Sequence, residues 1–215
     1  MSTAHLKIKA ILLDIGGVML TNGWDTQARV RAAELFKLDY TELNSRHRVI
    51  FDAYESGKMS LEEYLNLLVF YQARPFGKAE FRDFMLSQSR PYPEMLDFLR
   101  NIKRQYGIKT IAVNNEGREL NEYRIKEFRL DDFIDVFASS GILHMRKPDR
   151  EFYGAALELL QVSPEEALYV DDRLVFVQAA QAMGINSIHH SSLQQTAKGF
   201  EEYGLSVASV NPVIH

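Results

Sequence analysis

The sequence predicts an α/β protein: a Rossmann-like parallel sheet flanked by helices, with a helical-bundle cap domain inserted after the first strand. Three observations carry this. Short apolar runs recur along the chain, each ended by polar or glycine residues. Amphipathic helix patterns separate most of them, and that alternation defines βαβ units and a parallel sheet. The alternation is interrupted once, between residues 25 and 89, where only helical patterns occur.

The first run, Lys9 to Leu13, is apolar without alternation and ends in Asp14, Ile15, Gly16 and Gly17. Such a run reads as a strand buried on both faces. Four helical patterns follow: Gln27 to Phe36, Tyr40 to Tyr54, Leu61 to Tyr71, and Ala79 to Ser87. The Glu55–Met59 link and the turn around Pro75 and Gly77 separate them. Pro93 then opens a helix whose Met95, Leu96, Phe98, Leu99 and Ile102 fall on one face. Strands are expected at 109–113, 134–138, 167–170 and, more weakly, 186–189. A helix from Asp149 to Leu160 is expected to be capped by Asp149. Another, from Leu174 to Met183, is stopped by Gly184. The tail from Ser206 to His215 shows no pattern beyond a short strand or a loose end. The division expected is a core of residues 1–20 and 90–215 and a cap of residues 21–89.

Composition narrows the chemistry. The chain has 215 residues and no cysteine. That excludes disulfides, thiolate zinc sites, iron–sulfur clusters and a cysteine nucleophile. A nucleophile must therefore be oxygen or nitrogen. The 25 Lys+Arg against 29 Asp+Glu give a net charge of −4, which argues against binding nucleic acid through a basic surface. No run approaches a membrane span and the N-terminus shows no secretory signal, so a cytoplasmic protein is expected. Oligomeric state is not written in any of these features.

In an open parallel sheet the reactive groups lie beyond the carboxyl ends of the strands. There the sequence places Asp14, then Asn114 and Asn115, then Lys147 before Pro148, then Asp171 and Asp172. Two carboxylates from separate strands, Asp14 and Asp172, suit a hard cation such as Mg²⁺. Lys147 and the two amides suit phosphoryl oxygens. A carboxylate facing phosphorus can act as nucleophile.

This ordered set resembles the haloacid dehalogenase superfamily of phosphatases and dehalogenases. Asp14-Ile15-Gly16-Gly17-Val18 is similar to its first motif, Asn114-Asn115 to the second, Lys147-Pro148-Asp149 to the third, and Val170-Asp171-Asp172-Arg173 to the fourth. The helical stretch after the first motif stands where members with a small helical cap carry it. The resemblance implies Asp14 as nucleophile and Lys147 as its catalytic partner. It implies phosphate binding by Asn114, Asn115 and Lys147. It also implies Mg²⁺ held by Asp14, the Gly16 carbonyl, Asp171 and Asp172. Within the family the sequence looks like the sugar-1-phosphate phosphatases, which implies a small phosphorylated metabolite as substrate.

Three positions depart from the family pattern. Gly16 stands where phosphatases carry a second Asp, the acid–base group, whose loss costs about 10²–10⁴ in rate. Asn114 replaces the usual Ser or Thr. Phe176 replaces a common Asp or Asn four residues after Asp172. Two alternatives therefore stay open: a phosphate-ligand sensor or partner-binding protein on the same fold, and a 2-haloacid dehalogenase, where halide leaves without a proton. Glu116 is expected at the surface, with a stand-in for the missing acid as the other reading. Arg173 is expected in a salt bridge, and Arg46-His47-Arg48 on a solvated helix face. Trp24 is divided evenly between packing and lid roles. His189 and His190 do not form a metal pair, since neighbouring strand residues face opposite ways.

Overall fold

The computed structural model describes residues 7–207. The elements in chain order are β1 (Ala10–Leu13), α1 (Thr26–Phe36), α2 (Tyr40–Glu55), α3 (Leu61–Leu68), α4 (Lys78–Ser87), α5 (Pro93–Tyr106) and β2 (Lys109–Asn114). They continue with α6 (Arg118–Glu127), β3 (Val136–Ser139), α7 (Ser140–Leu143), α8 (Arg150–Leu160), β4 (Ala167–Asp171), α9 (Leu174–Gln181), β5 (Asn186–His189) and α10 (Leu193–Glu202). The sheet has five strands in the order β3-β2-β1-β4-β5, and every pairing is parallel. This is the expected Rossmann-like sheet. The chain reverses direction across the sheet between β1 and β4, and that switch point opens the ligand crevice.

Period-two alternation in the strands divides the core into two layers. Ile11, Leu13, Ala112, Leu168 and Val170 face α5 and the Phe200 side of α10. Ala10, Leu12, Ile111, Val113 and Tyr169 face α8 and α9. Helices on both faces explain why β1 and β4 are apolar throughout and buried at every position. Pro93 occupies the first turn of α5, and Gly107 ends it in the left-handed region at φ 58°.

Between β1 and α5 the elements are the four helices α1 to α4. Asp25 and Asp39 cap α1 and α2, and Ser60 with Glu63 forms a capping box on α3. These helices build a third cluster of their own, from Trp24, Ala28, Phe36, Tyr64, Leu65, Leu68 and Phe81 among others. They are tied to the sheet layer where Leu61 N donates to Glu119 and Ser140 Oγ donates to the Glu55 carbonyl.

Some boundaries differ from expectation. Helix α3 stops at Leu68, and Arg74 Nε donates to the freed Val69 carbonyl. Strand β3 starts two residues late, because Asp135 turns its carboxylate onto the Thr110 amide and Lys103. Asp149 stands at the N-cap of α8 but its side chain accepts no capping bond. Helices α6 and α10 were not anticipated. The reading of the tail falls almost wholly outside the described residues. No helix among the described residues is long and apolar enough to cross a membrane.

Candidate active site

The strand ends assemble the site. Asp14 N donates to the Val170 carbonyl at 2.9 Å, which holds the first carboxylate against the end of β4. Asp14 Oδ1 accepts from Ile15 N at 2.8 Å. Gly17 follows at φ 78°, and a Cβ there would lie 2.2 Å from Asp172 Oδ2. A side chain at 17 would displace that carboxylate, so this turn requires glycine. Asp14, Asp171 and Asp172 thereby come together, each offering an oxygen within 4.8 Å of the others.

Lys147 is buried at the centre. Its Nζ lies 3.0 Å from Asp14 Oδ1 and 2.6 Å from Asp171 Oδ2. Asn115 fixes the lysine's backbone from both ends of one amide: Nδ2 donates to the Lys147 carbonyl at 2.9 Å, and Oδ1 accepts from Lys147 N at 2.8 Å. The side chain of Asn115 is thus committed to placing Lys147. Asp171 is fully buried, with Oδ1 on Arg173 N and Oδ2 on both Lys147 and the Tyr169 hydroxyl. Its oxygens are taken. Asp172 keeps a buried Oδ1 with no hydrogen-bond partner.

Two carboxylates pair with one ammonium and a third stands beside them, and the electrostatics show the crowding. Burial pushes Asp14 up to about 7, against the pull of Lys147, and Asp171 and Asp172 add to the rise. Asp172 is raised too, by burial and then by Asp171. A crowded, oxygen-only donor set with an unpaired buried oxygen fits a hard divalent cation. The residues that could hold it are Asp14 and Asp172, with Gly16 two residues after Asp14 and Asp171 behind, fixed on Lys147.

The cavity above these groups has a volume of about 270 Å³. Its walls come from both sides: Asp14, Asn114 and Lys147 from the sheet, and Asn22, Trp24, Arg29 and His47 from the helical insert and its leading loop. Asn114 Nδ2 donates to Asn121 Oδ1 at 3.0 Å, while Asn114 Oδ1 and Asn121 Nδ2 are both buried without partners. Turning both amides over keeps their mutual bond and frees Nδ2 of Asn114, the donor an anion needs. Phe176 forms an apolar wall 5.2 Å from Lys147 Nζ, not a ligand.

Three sequence expectations are corrected. Glu116 is not at the surface: it is buried, lines the cavity, and pairs with Arg124 at 2.7 Å. His47 is not on a solvated face. It is buried, and its Nδ1 lies 2.8 Å from Tyr64 Oη, which itself accepts from Trp24 Nε1 at 2.8 Å. Arg173 makes no ion pair among the described residues and lies over the Phe176 ring. Trp24 packs edge-on against Phe81 and also lines the cavity. His189 and His190 point to separate partners, the Asp172 carbonyl and Thr196.

Sequence reasoning missed the Glu116–Arg124 pair and Arg29. The available signal was position: Glu116 directly follows the two asparagines at the end of β2.

Comparison with known proteins agrees with this geometry. The family model described as haloacid dehalogenase-like hydrolase matches residues 8–184. A sesquiterpene phosphatase of Aspergillus oryzae is 31% identical over 183 residues, covering 84% of this chain and 89% of that protein. A phosphorylated carbohydrates phosphatase of Thermotoga maritima is 26% identical over 195 residues, covering 85% and 84%. Among solved structures, a HAD family enzyme of Bacteroides thetaiotaomicron, in complex with magnesium and inorganic phosphate, superposes with a TM-score of 0.74 at 19% identity, over 86% of this chain and 96% of that one. The chain belongs to the haloacid dehalogenase-like hydrolases.

Proposed function

We propose that this enzyme is a Mg²⁺-dependent phosphomonoesterase that works through an aspartyl phosphate on Asp14. The observation that carries the reading is the trio Asp14, Asp171 and Asp172, two of which pair with the buried ammonium of Lys147. Bound there, Mg²⁺ would offset phosphoryl charge and keep Asp14 ionised. Lys147 draws a phosphoryl oxygen towards Asp14 and balances its charge. Asn115 and Asp171 hold Lys147 in place from its backbone and its tip. Asn114 supplies a neutral contact on the second side. The Asp14 oxygen then attacks phosphorus, the ester bond breaks, and water later releases phosphate from Asp14.

The helices of residues 21–89 serve as a cap. They close the cavity with Trp24, Arg29 and His47 and restrict water at the reacting phosphorus. The substrate is a small phosphorylated metabolite in the cytoplasm. A sugar 1-phosphate suits the site best within that class: the lining is mostly polar, with Asn22, Thr26 and Arg29 available to hydroxyl groups, and an anomeric oxygen leaves more readily than a simple alkoxide. The relatives named for phosphatase activity support the reaction class.

The test is a panel of phosphorylated metabolites, with p-nitrophenyl phosphate and 2-chloropropionate as controls. Turnover with Mg²⁺, lost to EDTA and in Asp14→Asn, is expected, with sugar 1-phosphates ahead of alkyl phosphates. Metal-independent halide release would replace this reading by dehalogenation. Phosphate binding without turnover would replace it by a sensor.

A further inference from the structure

Ester hydrolysis at Asp14 needs a proton. As the ester bond breaks, the departing oxygen gains a charge that an alcohol or sugar cannot carry alone. The cavity offers few groups to supply the proton. A guanidinium is a poor proton donor, which sets aside the lining residues Arg29, Arg124 and Arg173. Asp14 and Asp171 pair with Lys147, and Asp172 lies beside them. Asp25 is occupied in capping α1. His47 is held neutral by burial and by neighbouring Arg29, with its Nδ1 against Tyr64. Glu55 also lines the cavity, from the α2 side, with its Oε2 paired to Arg146.

Glu116 remains. It sits at the mouth of β2, two residues beyond Asn114, and lines the cavity with Asp14. Arg124 reaches it at 2.7 Å through Nη1. That guanidinium is itself fixed: Nε donates to Ser89 Oγ at 3.0 Å and Nη2 to the Thr21 carbonyl at 3.3 Å. A Cβ built on Gly16 would lie 3.7 Å from the same Nη1. The Glu116–Arg124 pair therefore borders the space that a side chain at position 16 would enter.

We propose that Glu116 is the acid–base residue of this site, positioned by Arg124. The inference rests on the phosphatase reading above. In the first step the Glu116 carboxyl gives its proton to the leaving oxygen as the bond from Asp14 to phosphorus forms. The products are the free alcohol, phosphorylated Asp14 and ionised Glu116. In the second step Glu116 takes a proton from water as the water oxygen bonds phosphorus and the Asp14–phosphorus bond breaks. Inorganic phosphate leaves and Glu116 is protonated again. Burial pushes Glu116 up to about 7 although Arg124 pulls it down; Glu55 from α2 and Asp14 from β1 also push it up, and Gly117 N donates to it. Tyr54, the other titratable group beside it, is held un-ionised by burial. A carboxyl poised in that range can both give and take a proton at neutral pH.

The experiment compares wild type, Glu116→Gln and Glu116→Asp on p-nitrophenyl phosphate and on a sugar 1-phosphate, by rapid mixing with Mg²⁺. Glu116→Gln should lose about 10²–10⁴-fold in kcat on both. With the aryl ester, whose leaving group needs no proton, it should release one equivalent of nitrophenolate in a burst before the slow steady state. With the sugar ester no burst should occur. Glu116→Asp should recover part of the loss. Should the variant not fold, the wild type alone decides: kcat/KM for the sugar ester should fall above about pH 7 while the aryl ester does not. A kcat within threefold of wild type in Glu116→Gln overturns the inference. So does an equal loss on both esters with no burst, or wild-type pH profiles that coincide. Wild-type turnover that is absent, or indifferent to Asp14→Asn, overturns the phosphatase reading itself, before Glu116 is varied.

Discussion

At the scale of single residues the account turns on one ammonium and the groups that hold it. Lys147 is buried between two carboxylates, and its backbone is clamped by Asn115. Asn115→Ala removes both clamping bonds and leaves buried backbone groups unmet, at about 1–3 kcal/mol. It should therefore lower both the melting temperature and kcat. Chemical denaturation read beside steady-state kinetics checks this; an unchanged kcat would mean that Lys147 keeps its place without the clamp. That Asp14, Asn114, Asn115, Lys147, Asp171 and Asp172 converge was legible in the sequence, because each ends a strand, directly follows one or lies on the stretch after β3. Glu116 was misjudged for a physical reason. Its burial depends on Arg124, eight residues on, and an ion pair between sequence-distant groups leaves no periodic mark.

At the scale of elements, two structures depend on close approach. Gly17 lies at φ 78° with no room for a Cβ beside Asp172. Gly17→Ala should cost about 1–3 kcal/mol through strain and move Asp172. Mg²⁺ affinity, read by calorimetry, should fall with stability. Retained affinity would show that Asp172 is not a ligand. The second structure is the relay from Trp24 through Tyr64 to His47, which joins the loop before α1 to α3 and α2. Trp24 Nε1 donates to Tyr64 Oη, so the hydroxyl proton is free for His47 Nδ1 and the imidazole is neutral. Burial, aided by Arg29, lowers His47 to about 3, with Asp52 opposing. The unfolded chain then binds more protons than the native one between about pH 6.5 and 3. The stability that His47 contributes is complete above pH 6.5 and is lost as pH falls through that window. His47→Gln should flatten that part of the pH–stability curve relative to wild type, as measured by thermal melts from pH 7 to 4. Parallel curves would contradict the neutral-histidine relay.

Helices such as α5 and α8 were readable because each buries one apolar stripe. Helix α6 was not, because its sequence is polar nearly all round and its buried side includes Asn121 and Arg124. Those residues face the site rather than a core, so apolar periodicity had nothing to register.

At the scale of the whole molecule, the parallel sheet with its flanking helices and the helical stretch before α5 followed from where apolar runs lie and where their alternation stops, whereas the strand order is a finding of the structure. Beyond such patterning lay how the insert meets the sheet. The contacts of Leu61 with Glu119, Ser140 with Glu55 and Arg146 with Asp52 join residues far apart in sequence. They fasten the helical insert to the sheet layer. The central claim concerns the cavity's floor: Asp14 carries the phosphoryl group during turnover. Its most direct measurement is acid quench of the enzyme with Mg²⁺ and a phosphate-labelled substrate, followed by peptide mapping. Label on the peptide containing Asp14, acid-stable and absent from Asp14→Asn, is the predicted result. Turnover proceeding at full rate with no label on that peptide at any time point would contradict it.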